Sequence, residues 1–188
     1  MTERARPAAV IVAGPPATGK TTLGAALASQ LNAAFLDLDV ATQALTDVVA
    51  SLVGVRNLDD TRLAELTRDA RYETVIGLAE SNLNLGVAVV VVAPFTQERR
   101  DLQAWHRLEH RLTSAGGNPT LVWLSAEPAE LIRRMRARSA ERDAAKLLDD
   151  ADWLARVDLA APVGPHIALD AGRPLADSVS VVLCQLSR

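Results

Sequence analysis

The sequence predicts an α/β domain of three layers, in which a five-stranded, mostly parallel sheet is covered by helices on both faces. Short runs rich in β-branched residues alternate with amphipathic helical stretches along the chain, which is the pattern of a doubly wound sheet. The strongest run, Val87–Val92, is apolar without interruption, as expected for a central strand buried on both faces. With 188 residues, 49% of them hydrophobic, the chain suits one domain over residues 1–188 with a single sizeable core.

The first half of the chain predicts three strands and two helices. An apolar strand is expected at Ala8–Ala13. A helix is expected from Lys20, because leucines recur every four residues after it, at Leu23, Leu27 and Leu31. The remaining elements of this half are a strand at Ala34–Leu38, a mixed region over Asp39–Asn57, a helix from Thr61 to about Leu85 and the strand Val87–Val92.

The second half continues the alternation of helices and strands. A helix is expected from Glu98 to about Ser114, and Gly116 and Gly117 stop it. The elements that follow are a strand at Thr120–Leu124, a helix from about Glu127 to Arg138, a short helix at Asp149–Val157, a strand at His166–Leu169 and a helix from about Leu175 to Leu186.

A phosphate-binding loop is predicted directly after the first strand. Residues 14–21 read GPPATGKT, a full match to the pattern G-x-x-x-x-G-K-[ST]. Lys20 would reach the β and γ phosphates of ATP, and Thr21 would ligate Mg²⁺. A chance match is the alternative, but an apolar strand precedes the loop and an amphipathic helix follows it, which argues against chance. The residues expected to hold the nucleotide here are Gly14, Pro15, Pro16, Ala17, Thr18, Gly19, Lys20, Thr21 and Thr22.

Two aspartates, Asp37 and Asp39, close the second predicted strand. In a strand they would point to the same face, at the carboxyl end of the sheet where ligands bind. Beside a phosphate loop, one carboxylate can hold Mg²⁺ and the other can accept the proton of an attacking hydroxyl. The alternative is ordinary solvated polarity at a strand end, although aspartate is disfavoured inside strands.

The segment Phe35–Asp39, F-x-D-x-D after the first βα unit, resembles shikimate kinase. The wider pattern is similar to P-loop small-molecule kinases, including gluconate kinase, chloramphenicol phosphotransferase and the zeta-toxin-like AAA kinase group. The resemblance implies the P-loop kinase fold with an arginine-rich lid at about residues 134–150. It also implies that Asp39 faces the acceptor and Asp37 lies on the Mg²⁺ side, with the reverse division as the alternative.

The arginine segment, residues 131–146, reads LIRRMRARSAERDAAK and resembles the L-x-x-R-x-x-x-R lid region of the same kinases. The resemblance implies that Arg134 stacks on adenine and that Arg138 and Arg142 contact phosphates. Guanidinium groups suit this role because phosphoryl transfer spreads negative charge over the moving group. The alternative is a solvated basic helix face. The turn at Gly172 resembles the loop that lines adenine in these kinases.

Other features of the sequence count against an AAA-type motor and a zinc site. The third strand ends Val92-Ala93-Pro94-Phe95, without the aspartate that AAA-type motors need there. His106 and His110 complete an H-x-x-E-H pattern, but helical spacing puts them on the polar side of their helix, which favours solvated residues over a zinc site. The tryptophans Trp105, Trp123 and Trp153 are expected to pack in the core.

Composition limits the partners that we expect. The net charge is −3 and the sequence pI is about 5.6, without the basic excess of a nucleic-acid binder. The longest apolar run is about half of a membrane span, the N-terminus lacks a signal-peptide pattern, and the single cysteine cannot form an intrachain disulfide. We therefore expect a cytoplasmic monomer or homodimer that binds neither nucleic acid nor membrane.

Together these patterns predict an ATP- and Mg²⁺-dependent phosphotransferase whose acceptor is a small molecule with a hydroxyl group. The acceptor region is expected at about residues 40–86, where one of four arginines could bind an acidic group. They are Arg56, Arg62, Arg68 and Arg71. The acceptor could be a sugar acid, an antibiotic or a nucleoside-like compound. The alternative function is a nucleotide-dependent regulatory ATPase that binds a protein partner, and a kinase of RNA or nucleotide ends is disfavoured by the acidic pI.

Overall fold

The computed structural model of the protein describes residues 5–55, 61–138 and 157–187. Within these ranges it contains five strands and seven helices. The strands are β1 (Ala8–Ala13), β2 (Ala34–Asp37), β3 (Val89–Val92), β4 (Asn118–Ser125) and β5 (Ile167–Asp170). The helices are α1 (Lys20–Leu31), α2 (Leu38–Val53), α3 (Thr61–Asn84), α4 (Thr96–Arg100), α5 (Leu102–Ser114), α6 (Pro128–Arg138) and α7 (Leu175–Leu186).

The sheet is parallel throughout and has the strand order β2-β3-β1-β4-β5. Successive residues of a strand point to opposite faces, so β1 contributes to two apolar clusters. Ile11 packs with residues of α3 and α5 on one face, and Val10 and Val12 pack with α1 and α7 on the other. The three-layer α/β fold predicted from the sequence is therefore confirmed.

The valine-rich strand is confirmed at the centre of the sheet, between β1 and β2, but it is shorter than predicted. Its four residues, Val89–Val92, are 3% exposed or less. The first valine of the run, Val87, instead follows a turn in which Gly86 has a φ of 78°, a conformation that favours glycine. Backbone hydrogen bonds to the last turn of α3 hold this turn in place.

The second strand is also shorter than predicted, and this changes the geometry of the two aspartates. β2 ends at Asp37, whose Oδ1 accepts the backbone N–H groups of Asp39 at 2.9 Å and Val40 at 3.3 Å. Asp37 is thus the N-cap of α2, a position that aspartate favours strongly. The prediction that both aspartates share one strand face was wrong, because Asp39 lies in the first turn of a helix. The mixed region predicted at Asp39–Asn57 is largely this helix.

The helix predicted from Glu98 to about Ser114 is two helices, α4 and α5. They are separated by Asp101, which adopts an extended conformation and caps α5 by accepting the backbone N–H of Gln103 at 2.8 Å. The short helix predicted at Asp149–Val157 lies outside the described residues apart from Val157. The lid expected at about residues 134–150 lies outside them beyond Arg138.

A buried arginine fixes the chain that leads into β5. The Arg99 side chain is 4% exposed, and its guanidinium lies 4.4 Å from the ring centre of Trp123. It donates to the Pro94 and Ala160 carbonyls and to the Asp158 carboxylate, at 2.8–3.2 Å. Burial lowers the pKa of Arg99, and the charge of Asp158 acts against this shift. The arginine thus ties residues 158–160 to the end of β3, beside the phosphate loop.

Two tryptophans pack in the core as predicted. Trp105 is 3% exposed and Trp123 is 2% exposed, while Trp153 lies outside the described residues. His106 and His110 are exposed on α5. No described helix combines the length and the apolar character needed to cross a membrane.

Candidate active site

The loop between β1 and α1 has the geometry of a closed anion cradle. Ala17 and Gly19 have φ angles of 64° and 91°, so the chain curls back before α1 begins at Lys20. The Thr18 hydroxyl donates to the Pro15 carbonyl at 2.8 Å, and Lys20 Nζ donates to the same carbonyl at 2.7 Å. The first turn of α1 directs its backbone N–H groups into the loop, which favours negative charge there.

Position 14 requires a glycine because the backbone there lies too close to the neighbouring strand for a side chain. A Cβ at this position would lie 2.4 Å from the Leu124 carbonyl oxygen at the end of β4, and 3.1 Å from the Thr18 hydroxyl. In a phosphate-binding loop, a glycine lets the backbone turn tightly and approach the phosphates. The structure adds a second reason, which is that the loop begins in contact with β4.

The two residues predicted on the Mg²⁺ side lie together. The Thr21 hydroxyl donates to Asp37 Oδ2 at 3.0 Å, and Asp37 is 8% exposed. The other carboxylate oxygen of Asp37 caps α2, so both of its oxygens are engaged and the side chain is fixed. A threonine hydroxyl and a carboxylate beside a phosphate loop are the hard oxygen donors that suit Mg²⁺, which takes few protein ligands and completes its shell with phosphate and water.

Asp39 lies at the start of α2 with a partner on α3. Arg71 Nη2 donates to Asp39 Oδ1 at 2.6 Å, and Arg71 Nε donates to the Thr42 hydroxyl at 2.9 Å. The Asp39 side chain is 60% exposed and that of Arg71 is 24% exposed. The carboxylate therefore has one oxygen held by the guanidinium and remains accessible from solvent. The sequence marked Arg71 as a candidate acceptor ligand and did not predict its pairing with Asp39.

Arg134 on α6 bridges the phosphate loop and the loop after β5. Its guanidinium donates to the Thr18 carbonyl at 3.4 Å and to the Ala171 carbonyl at 2.7 Å, and Glu130 accepts its Nε at 2.5 Å. Two cavities meet at this side chain. One, of about 190 Å³, opens toward α7, and the other, of about 340 Å³, opens over the start of α1. The walls of the first include Leu124, Ala171, Arg173, Leu175 and Ser178, and those of the second include Lys20, Thr21, Arg133 and Ala137.

Gly172 lies in the turn after β5. Its backbone N–H donates to Asp170 Oδ1 at 2.7 Å, and Ala171 N–H donates to the Ser125 carbonyl at 2.7 Å. The turn is thereby tied to the end of β4, next to Arg134. Among the other residues predicted at the site, the backbone of Arg138 ends α6, and Arg142 lies outside the described residues.

Replacing Gly14 with alanine is expected to lower both stability and nucleotide affinity. The new Cβ would meet a backbone oxygen, so the loop must move away from β4, at a cost of about 1–3 kcal/mol for overpacking. Gly77→Ala is the matched control, because a Cβ at Gly77 in α3 meets nothing within 4 Å and alanine favours a helix. Urea unfolding and ATP titration would measure both effects. Equal behaviour of the two variants would contradict the role given to the Leu124 contact.

A family described as an AAA domain matches this chain over residues 10–162. No curated protein matches it. Solved structures with a similar fold include a candidate kinase from Chloroflexus aurantiacus J-10-fl, at 24% identity and a TM-score of 0.73, covering 98% of both chains. A gluconokinase from Sinorhizobium meliloti 1021 is 21% identical with a TM-score of 0.61, covering 98% of this chain and 94% of that one.

A third similar structure is the APS kinase of Mycobacterium tuberculosis in complex with AMPPNP and APS. It is 17% identical with a TM-score of 0.65, and the match covers 97% of this chain and 99% of that one. At these levels of identity the similarities establish a shared fold, the P-loop kinase fold expected from the sequence.

Proposed function

This chain belongs to the AAA-domain family, and we propose that it transfers the γ-phosphate of ATP to a hydroxyl group of a small molecule with the help of Mg²⁺. One observation carries the proposal. The Thr21–Asp37 hydrogen bond joins the phosphate loop to the start of α2, where the other oxygen of Asp37 accepts the Asp39 N–H. A cation for phosphate, oxygen donors for a metal and an accessible carboxylate are the parts that phosphoryl transfer requires.

The residues of the loop fit a nucleoside triphosphate. The phosphates would be held by Lys20 Nζ and by the backbone N–H groups of residues 17–22. Thr21, with Asp37 behind it, would hold Mg²⁺, which when bound neutralises phosphate charge and supplies no group to the acceptor. Leu124 and Ala171 line the cavity toward α7, which has an apolar wall suited to adenine. Arg134 lines the same cavity, and Gly172 lies between two of its lining residues, Ala171 and Arg173. In this proposal Arg134 has the stacking role that the family resemblance gives it.

The acceptor hydroxyl is placed over Asp39 in this proposal. Asp39 Oδ2, the oxygen not bonded to Arg71, accepts the hydroxyl proton as the hydroxyl oxygen bonds to the γ-phosphorus, and the bond from that phosphorus to the β–γ bridging oxygen breaks. Arg71 orients the carboxylate through Oδ1. Arg138 and Arg142 retain the phosphate-neutralising role that the resemblance implies, which guanidinium groups perform well.

A kinase of one domain, residues 1–188, with its acceptor region at about residues 40–86, accommodates these parts. The kinases with a similar fold are described as acting on small molecules such as gluconate and APS, which supports a small-molecule acceptor here. The sequence offers no further motif for the acceptor, so its identity rests on the chemistry of the residues that face it.

A regulatory ATPase is the second candidate, and one observation favours it. Helix α2 buries threonines and exposes a row of large apolar side chains, which could meet a protein partner. These are Val40, Leu45, Val48 and Leu52, each at least 55% exposed.

ATP consumption with and without small hydroxyl compounds separates the two functions. A kinase should hydrolyse ATP slowly alone and consume it faster with a suitable acceptor, because the acceptor replaces water as the nucleophile. A regulatory ATPase should show one basal rate with every compound. A stimulated rate that requires the compound's hydroxyl would support the kinase, and a uniform rate across a broad panel would support the ATPase.

A further inference from the structure

Two charged side chains, one on α3 and one on α4, each have a buried atom that lacks a hydrogen bond. Arg68 Nη2 and Glu98 Oε2 have no hydrogen-bond partner among the residues that the structure describes. Burying such a group without a hydrogen-bond partner costs free energy, and the cost is larger when the group is charged. A pair of opposite character, one donor and one acceptor, therefore indicates a place where a polar molecule supplies the missing bonds.

The guanidinium of Arg68 packs over an aromatic ring. It lies 4.8 Å from the ring centre of Tyr72, and Nη1 makes a long contact of 3.5 Å with Asp69, whose side chain is 95% exposed. Tyr72 is itself fixed, since its hydroxyl accepts the Phe95 N–H at 2.9 Å and its ring packs edge-on against the Phe95 ring. The Arg68 side chain as a whole is 31% exposed, but Nη2 itself is shielded from solvent, so an acceptor that bonds to Nη2 must displace the atoms that cover it.

The pair lies beside the proposed acceptor position. Arg68 is one turn before Arg71 on α3, and Arg71 holds Asp39. Glu98 is on α4, which begins just after β3. In the sheet, β3 lies between β1, which leads into the phosphate loop, and β2, which ends at Asp37. Burial raises the pKa of Glu98, and the charges of Arg68 and Arg107 act against the shift. The carboxylate is thus costly to hold there without a partner.

We propose that Arg68 and Glu98 form a recognition subsite for the acceptor, and that the acceptor is an uncharged polyhydroxylated compound of the sugar or polyol class. This inference rests on the proposed kinase function. A hydroxyl group donates one hydrogen bond and accepts others, so neighbouring hydroxyls can satisfy both Glu98 and Arg68. The charges of these side chains also favour a neutral acceptor. Arg71 is paired with Asp39, and the charge of Arg68 acts on Glu98. An acidic acceptor would meet the two carboxylates of Asp39 and Glu98.

Acceptors matched in shape and different in charge test the substrate class. D-glucitol, D-glucose and myo-inositol are the neutral probes, and D-gluconate and D-glucuronate are the acidic ones. We expect at least one neutral probe to accelerate ATP consumption, with both acids weaker than their neutral counterparts. Acceleration by the acids alone, or by none of the neutral probes, would overturn the assignment.

Glu98→Gln tests the subsite itself. With the neutral acceptor its KM should rise about tenfold or more, the loss of one hydrogen bond to a charged group, with a smaller change in kcat. Its preference should also shift toward D-gluconate, because one negative charge is gone. Glu65→Gln on the exposed side of α3 is the matched control and should leave both values unchanged. Arg68→Met should raise the KM for the neutral acceptor as well, but it should not shift the preference toward D-gluconate.

These outcomes distinguish the inference from the function on which it rests. If Glu98→Gln and Arg68→Met behave like the control while a neutral acceptor is phosphorylated, the subsite is wrong and the kinase stands. If only acids are phosphorylated, the substrate class is wrong and the kinase stands. If no compound is phosphorylated and ATP is bound without turnover, the proposed function fails and this inference fails with it.

Discussion

Replacing Lys20 with alanine is expected to abolish phosphoryl transfer while leaving the fold intact. Lys20 is the first residue of α1 and is partly exposed, and its Nζ donates to the Pro15 carbonyl in the phosphate loop. Its charge would stabilise the phosphates as negative charge builds on the transferred group. Losing a cation in that position should lower the transfer rate by on the order of 10³-fold or more. Steady-state transfer assays and thermal unfolding of the same preparation would measure the two parts of this prediction.

Arg6→Ala is the matched control for the loss of one positive charge, since Arg6 is exposed just before β1. It should retain wild-type transfer. A folded Lys20→Ala protein with nearly wild-type transfer would refute the assignment of the loop as the phosphate site, and with it the kinase.

The second large effect is expected when the two aspartates are changed separately. Asp39→Asn keeps the shape of the side chain but removes the base, so transfer should fall about 10²–10⁴-fold while binding of ATP and Mg²⁺ persists. Asp37→Asn should instead raise the Mg²⁺ concentration needed for ATP binding, because the group that accepts the Thr21 hydroxyl loses its charge. Asparagine caps helices about as well as aspartate, so α2 should remain in place in this variant.

Titrations of ATP at several Mg²⁺ concentrations, beside transfer rates, separate the two roles. Asp47→Asn is the control, because Asp47 is an exposed residue further along α2 whose carboxylate accepts a hydrogen bond from the Gln43 side chain at 2.8 Å. Exchanged phenotypes would mean that the assignment of the two aspartates is reversed and that the kinase stands. If neither variant loses transfer, both residues are ordinary polar groups, and the regulatory ATPase becomes the better proposal.

The fold was predictable because its signals are local. A buried parallel strand is apolar throughout and a helix repeats every three or four residues, so β1, β3 and α1 follow from short stretches of sequence. The phosphate loop is equally local, since eight consecutive residues define it. The predicted and observed ends of the strands differ by two residues at most.

The error at Asp39 has a specific physical cause. Alternating Asp37-Leu38-Asp39 fits a strand end, yet an aspartate followed by a helical repeat is also an N-cap signal. Leu38, Thr42, Thr46 and Ala50 are the buried positions of that repeat, and two threonines among them hide its apolar face. The sequence therefore placed both carboxylates at the correct edge of the sheet and assigned the second to the wrong element.

The contacts that define the acceptor side could not be read from the sequence. Arg71 meets Asp39 across 32 positions of the chain, and Tyr72 meets Phe95 across 23. Such pairs depend on how α2, α3 and α4 dock, which no short pattern encodes. The unpaired atoms of Arg68 and Glu98 are visible only after that docking is known. Composition could suggest arginines near the acceptor but could not show that Arg71 is already paired with a carboxylate.

Phosphorus NMR of the reaction products tests the central claim most directly. Wild-type protein would be incubated with ATP, Mg²⁺ and the hydroxyl compound that most accelerates ATP consumption, and the products would be followed as they form. The proposed kinase predicts a new phosphomonoester signal that grows in step with ADP, with little inorganic phosphate. Inorganic phosphate equal to ADP, without a phosphomonoester for any compound in the panel, would contradict it.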